Sequence, residues 1–294
     1  MKLKDTKNQG DFIMDTVLDN GIVSARISSL GAQLLSFKDN TTEYIWQRDE
    51  NVWNFSAPVL FPICGALNNG SYTYNGIKYE MEQHGFARFK EFTLEKATPV
   101  KACYLLKSDE ETKKNYPFDF EFRVVFELDQ KRLNITYSVI NLSDGNMYFS
   151  FGGHEGYDCP EGVEDYVIEF ENDTTLTRHM HKIGFFDEKT EKMVLKGGEL
   201  ALRYKEFERC TYVFRDINSE SVILKNNSRK IRVGFPKHNV LVIWTKPERK
   251  YVCIEPWCGV FEKEGFDGDI TKKDCIVELK PFQCFERTHF AEIL

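Results

Sequence analysis

Apolar and polar residues alternate along most of this chain. In residues 119–129, Phe120, Phe122, Val124, Phe126 and Leu128 share one side, with mostly polar neighbours between them. The same period of two returns in Leu133, Ile135, Tyr137 and Val139, in Tyr166, Ile168 and Phe170, and in Ile231, Val233 and Phe235. A period of two places alternate side chains on opposite faces, so these segments read as half-buried antiparallel strands. Tyr72-Thr73-Tyr74 and Ile77-Lys78-Tyr79 flank Asn75-Gly76, whose tolerance of positive φ predicts a two-residue hairpin. Asn226-Asn227 predicts another turn. Helical spacing is scarce: a turn or two is predicted within residues 198–207, and the charged residues 107–114 read as a solvated loop. No linker, composition shift or internal repeat divides the chain. The expectation is one all-β domain over residues 1–294, with two packed antiparallel sheets forming a large β-sandwich.

Composition narrows the partners. Hydrophobic residues at 41% and charged residues at 29% fit a soluble globular chain, and 24 Phe with 13 Tyr suggest broad, flat packing faces. A net charge of −7 and a pI near 5.5 argue against a nucleic-acid partner, which needs clustered Lys and Arg to displace counterions. No stretch is long and apolar enough to span a bilayer, and residues 1–10 lack a secretory apolar core. A cytoplasmic protein with no membrane partner is expected, as monomer or homodimer. Eight cysteines occur without a Cys-x-x-Cys pair and read as reduced, small core residues.

Candidate chemistry lies in three segments: Gln83-His84-Gly85-Phe86-Ala87-Arg88, Phe151-Gly152-Gly153-His154-Glu155-Gly156 and Cys253-Ile254-Glu255-Pro256-Trp257. Alternation puts Glu255 on a face with Tyr251 and Cys253, and Pro256 is expected to stop the ladder just after it. Partial desolvation there would raise the carboxyl pKa and suit it to act as a base, although a solvated glutamate at a strand end is the commoner case. His84 and His154 sit beside glycines at strand-to-loop junctions, where a sharp turn would free each ring to enter a cleft. Imidazole transfers protons near neutral pH, yet a lone histidine is more often a hydrogen-bonded structural residue. His179-Met180-His181 would place two rings on one face, as metal ligands require, but no carboxylate follows at suitable spacing, so a surface or loop role is expected for this pair.

Taken together, these segments resemble the aldose 1-epimerase, or galactose mutarotase-like, family, in its shorter bacterial branch. The matching pieces are Ile27-Ser28-Ser29-Leu30-Gly31-Ala32-Gln33-Leu34, Pro58-Val59-Leu60-Phe61-Pro62-Ile63, His84 to Arg88, Gly152-Gly153-His154 and Ile254-Glu255-Pro256-Trp257 with Gly259, in the family order. The resemblance implies the family's β supersandwich and interconversion of sugar anomers through an open-chain aldehyde, with a small-molecule sugar as substrate and no metal or organic cofactor. It implies Glu255 as the base on the anomeric hydroxyl, His154 as the acid on the ring oxygen, and His84 as an assisting hydrogen-bond donor.

Three positions depart from the family pattern. Ala66 stands where an arginine usually follows Phe-Pro-Ile and a glycine; Glu155 replaces the proline after the second histidine; and the acid before a later strand has no clear match in Glu208-Arg209-Cys210-Thr211-Tyr212. If Glu155 points inward it would raise the pKa of His154 and reach the sugar. Arg88 is expected to compensate as a hydroxyl or anion contact, and Trp257 to stack on a sugar face, with a surface ion pair and a core position as their plainer roles. A non-catalytic sugar-binding or sensing protein, or an epimerase of a phosphorylated or modified sugar, are the alternative readings.

Overall fold

In the computed structural model the alternating segments are strands; the structure describes residues 15–182 and 185–294, with the backbone alone for Lys182, Asp187 and Glu188. Residues 1–10, on which the absence of a secretory leader was argued, lie outside them. One layer is a nine-stranded antiparallel sheet, ordered Glu199–Ala201, Val167–Phe170, Ser221–Lys225, Lys230–Gly234, Cys284–Ile293, Arg132–Asn141, Phe120–Asp129, Lys101–Lys107 and Thr93–Ala97. Phe120–Asp129 and Arg132–Asn141 pair along their whole length, and the apolar side chains that alternation assigned to one face are all buried.

The other layer is an eight-stranded sheet of β1 (Phe151–Gly152), β2 (Glu155–Asp158), β3 (Thr175–Lys182), β4 (Phe185–Val194), β5 (Tyr212–Phe214), β6 (Val240–Trp244), β7 (Tyr251–Cys258) and β8 (Glu262–Lys263). Across it the order is β1-β7-β6-β5-β3-β4-β8, with β2 also paired to β7. The β4–β8 pairing is parallel. The two layers share one apolar core, joined by ring contacts such as Tyr137 to Phe151 at 5.3 Å and Phe170 to Phe214 at 5.9 Å. A smaller apolar cluster covers another part of the second sheet: Val213, Val240, Val242 and Trp257 with Phe186 and Phe261.

Strand β7 shows how alternation divides the two faces. Val252 and Ile254 enter the main core, while Tyr251, Cys253, Glu255 and Trp257 point to the opposite face. All eight residues of β7 are buried, because the opposite face is covered too: Trp46 and Trp53 pack on Tyr251 with ring centroids 4.9 and 5.1 Å away, and Phe261 packs on Trp257 at 5.1 Å. Pro256 does not stop the ladder. It pairs in register with Leu241 on one side, and on the other it faces the gap between β1 and β2, where no strand residue requires its missing N–H. Its carbonyl still accepts from the Gly153 N–H at 3.1 Å.

The Asn75-Gly76 hairpin forms with both residues at positive φ, 51° and 76°. Residues 107–114 are not a plain loop: they run into a short helix α1 (Glu110–Asn115). The Asp109 carboxylate accepts from the Thr112 N–H at 2.7 Å, and the Thr112 hydroxyl accepts from the Asp109 N–H at 2.8 Å. This reciprocal cap, with acids in the first turn and lysines in the last, stabilises a helix too short to persist on propensity alone. Residues 198–207 divide between the edge strand Glu199–Ala201 and the start of α2 (Tyr204–Arg209). The eight cysteines are free thiols, and no described helix is long and apolar enough to cross a membrane, which says nothing of strands.

Candidate active site

Strands β1, β2 and β7 bring the predicted residues together. Between β1 and β2 the chain leaves the ladder at Gly153 and His154, and at this break His154 meets Glu255, with Nε2 and Oε2 3.4 Å apart. Both are buried, Glu255 at 1% exposure and His154 at 8%. The two glycines before His154 serve clearance rather than a turn. Neither has positive φ; a Cβ on Gly152 would lie 2.3 Å from the Trp257 ring, and one on Gly153 2.5 Å from the Glu155 carboxylate.

His84 arrives from the other side of the cleft in a left-handed conformation, φ 66°, followed by Gly85 at φ 71°. Histidine tolerates that region better than bulky residues, and an outlier held by its surroundings often marks a functional position. Gly65 is what holds it: the His84 N–H donates to the Gly65 carbonyl at 2.8 Å, and the Gly65 N–H donates to His84 Nδ1 at 3.1 Å. With Nδ1 accepting, the neutral ring carries its proton on Nε2. The Gln83 amide nitrogen is placed 3.2 Å from that Nε2, and a half-turn of the amide presents its carbonyl oxygen as acceptor. The His84 and His154 rings meet edge to face at 5.5 Å.

These residues line a cleft of about 290 Å³ with Trp53, Gln83, Arg88, His181, Thr211, Trp244, Trp257 and Phe261. Ligand pockets start near 300 Å³, so the space suits one small polar molecule. A larger groove of about 470 Å³ lies beside Ser24–Ser28, but its lining, which includes Asp19, Arg26 and Lys38, holds no histidine and none of the predicted site residues. Aromatic rings wall the smaller cleft: Trp53 lies 5.2 Å from the His154 ring, and Trp244 stands edge-on at 5.6 Å. Trp257 is buried at 1% exposure, with its indole N–H donated to the Gly153 carbonyl at 3.2 Å, so it forms a fixed floor.

Burial sets the electrostatics. It pushes the Glu255 carboxyl well above the usual range, and the Glu155 charge adds to this. Burial also pushes His154 down to about 3 and His84 well below its ordinary value. A 3.4 Å His–Glu contact would be an ion pair in water, but burial drives both partners toward neutrality. Both shifts favour a carboxyl proton beside a neutral imidazole over the ion pair. One ligand atom each from His154, Cys253 and Glu255 lie within 4.8 Å of one another, so this corner could also admit a soft divalent cation in competition with that proton.

Glu155 does not line the cleft. It pairs opposite Ile254 on the core face of the sheet, 3% exposed, and its Oε1 meets His289 Nε2 of the nine-stranded sheet at 2.9 Å. Adjacent strand residues point to opposite faces, so His154 entering the cleft sends Glu155 to the core. The carboxylate thus acts on Glu255 from behind, rather than on His154 from within the cleft.

Arg88 lines the cleft half-buried, stacked 4.6 Å from the Phe89 ring and donating to the Gln83 carbonyl at 2.8 Å. Its Nε is buried without a partner, and desolvation lowers its pKa. Ala66 is absent from the lining, and Thr211 is the residue of the 208–212 stretch that reaches it. His179 and His181 lie on β3 rather than on a loop. Sequence reasoning missed His181, Thr211, Trp53 and Trp244 as cleft residues, and weighed His181 only as half of a metal-ligand pair; loops and sheet order decide which of them converge.

Comparison with known proteins bears on the family and the fold. A family model described as aldose 1-epimerase matches residues 14–263. The plasmid-encoded protein LacX of Lactococcus lactis subsp. lactis is 29% identical over 298 residues, covering 96% of this chain and 100% of that protein. The crystal structure of a galactose mutarotase related enzyme from Lactobacillus acidophilus shares 33% identity at a TM-score of 0.91, covering 96% of this chain and 97% of the other. A galactose 1-epimerase from Lactobacillus acidophilus NCFM has the same fold, with a TM-score of 0.75 at 14% identity over 99% of this chain and 97% of that one.

Proposed function

Because the chain belongs to the aldose 1-epimerase family, we propose that it interconverts the α and β anomers of an aldose by acid–base ring opening and reclosure. The observation that carries this reading is the buried His154–Glu255 contact at the end of an aromatic-walled cleft. One proton shared by this pair is enough. Its transfer from Glu255 to His154 yields a carboxylate and an imidazolium, the form that acts on the sugar. Glu255 takes the proton of the anomeric hydroxyl, the C1–O5 electron pair passes to the ring oxygen, and that oxygen takes the proton of His154 Nε2. C1 becomes an aldehyde carbon, rotates, and recloses by the same steps reversed on its other face, restoring both groups.

The pKa directions support these roles. A carboxylate with a raised pKa is a stronger base, and an imidazolium with a lowered pKa is a stronger acid. His84, neutral and held through Gly65, donates its Nε2 proton toward the ring oxygen and disperses charge developing there. Trp257 supplies an apolar floor, and Arg88 reaches hydroxyl or anionic groups. The Arg88 guanidinium in the cleft wall favours one variation on the same reaction, a substrate bearing a phosphate or other anionic group.

The test is anomeric equilibration of freshly dissolved α-glucose and α-galactose, followed by polarimetry or NMR. Glu255→Gln should retain sugar binding while turnover falls by about 10²- to 10⁴-fold, the span of a positioned acid or base. Unchanged turnover defeats the assignment. Binding without acceleration by the wild-type chain would instead favour a sugar-binding protein on this fold.

A further inference from the structure

We infer that His181 is a specificity-determining residue of this cleft, one that reads a sugar hydroxyl remote from the anomeric carbon. The inference rests on the epimerase reading above for which end of the cleft holds that carbon. Its own support is geometric. A chain of ring contacts crosses the cleft floor: His154 to His84 at 5.5 Å, His84 to Trp257 at 5.7 Å, Trp257 to Phe261 at 5.1 Å and Phe261 to His181 at 5.1 Å. His181 therefore lines the same cleft as the proton-handling pair but stands across the Trp257–Phe261 floor from His84. A ring seated over that floor, with its anomeric carbon at His154 and Glu255, turns its opposite edge toward His181. Imidazole can both donate to and accept from a hydroxyl.

The backbone is shaped to deliver this side chain. Between His179 and His181, β3 advances two residues while β4 advances four, from Thr190 to Phe186. Such an irregularity breaks the simple alternation that would keep both rings on one regular face, and bulges beside functional sites commonly re-aim a side chain. His179 stays beside Phe186 at 5.9 Å, whereas His181 packs on Phe261, its rings tilted by 30°. The His181 N–H also donates to the Cys210 thiol at 3.3 Å, tying this strand to the end of α2 immediately before Thr211, another cleft residue. Phe261 is itself placed by the parallel pairing of Phe185 and Phe186 with Glu262 and Lys263. Both the ring and its support are thus built from the far edge of the sheet.

The experiment measures binding, by tryptophan fluorescence, and turnover of glucose, galactose and their 2-, 3-, 4- and 6-deoxy analogues, with wild type, His181→Ala and His181→Asn. The expected result is a binding loss of about tenfold for His181→Ala, the scale of one hydrogen bond to a buried group. That loss should appear in KM more than in kcat, with partial rescue by His181→Asn. One deoxy analogue should be penalised in wild type and not in His181→Ala, because the lost partner no longer matters. Equal penalties for every analogue in both proteins, or unchanged affinity in His181→Ala, overturn the inference; a merely structural histidine would weaken all sugars alike. If His181→Ala does not fold, the same comparison is read in His181→Phe, which keeps a ring against Phe261 but offers no hydrogen-bonding atom. Wild-type binding without turnover sinks the epimerase reading and leaves this test legible from affinity alone. No binding of any sugar in the panel by wild type overturns both.

Discussion

At the scale of single residues, the proposed mechanism depends on one proton held between two buried groups, His154 and Glu255. On that mechanism, activity needs the proton present and the pair otherwise uncharged overall, so the rate should fall on both sides of a plateau, and the limits belong to the coupled pair rather than to either residue. The alkaline limit is set by loss of the shared proton, and the Glu155 charge helps to hold that limit high by raising the Glu255 pKa. Glu155→Gln removes the charge, lowers the Glu255 pKa, and should move the alkaline limb of the rate profile to lower pH; an unmoved limb would show that Glu155 has no electrostatic part. Stability should follow the same linkage. A folded-state pKa raised above the unfolded value makes the carboxyl's contribution fully present below the unfolded pKa and lost as pH climbs through the folded one. Glu255→Gln cannot ionise, so its melting temperature should exceed that of wild type increasingly as pH rises from 5 to 9. About 1 kcal/mol of relief corresponds to roughly 2–4 °C in domains of some two hundred residues. An advantage that shrinks with pH would contradict the raised pKa.

At the scale of elements, the residues around the histidines determine whether the cleft exists. Gly85 bridges to Phe61, and a Cβ there would fall 2.2 Å from the Phe61 carbonyl oxygen at a backbone φ of 71°. The Phe86 and Ala87 N–H groups both donate to that carbonyl, so it cannot yield cheaply. Gly85→Ala should lower the melting temperature and displace His84, seen as reduced turnover in whatever fraction folds; wild-type stability and turnover would refute the clearance argument. The sequence marked Gly85 correctly as a turn residue, whereas Gly152 and Gly153, read in the same way, prove to be spaces for Trp257 and Glu155. That distinction depends on atoms distant in sequence, and no local rule contains it. The helix at Glu110–Asn115 was legible in principle, through Asp109-x-x-Thr112, but its charge density resembled a solvated loop.

At the scale of the whole molecule, the reading of residues 1–294 as one domain predicts a single cooperative unfolding transition in calorimetry, with van't Hoff and calorimetric enthalpies in agreement. Two resolved transitions would reject it. The free thiols give a parallel check: exposed Cys284 and half-buried Cys103 and Cys275 should react first with a thiol reagent in the native state, and the other five only on unfolding. Alternation by itself determined the strands, the faces of Phe120–Asp129 and Arg132–Asn141, and the hairpin at Asn75-Gly76, because each follows from a period of two or from a local preference for positive φ. The motifs, by family resemblance, also singled out His84, His154 and Glu255. Only the tertiary structure decided that Pro256 continues its strand, since the break between β1 and β2 faces it, and that Glu155 belongs to the core, since its partner His289 comes from the other sheet. It alone placed His181 and Thr211 in the cleft, for which residues share a wall is fixed by strand order and irregular pairing, and these join positions that the chain itself keeps far apart.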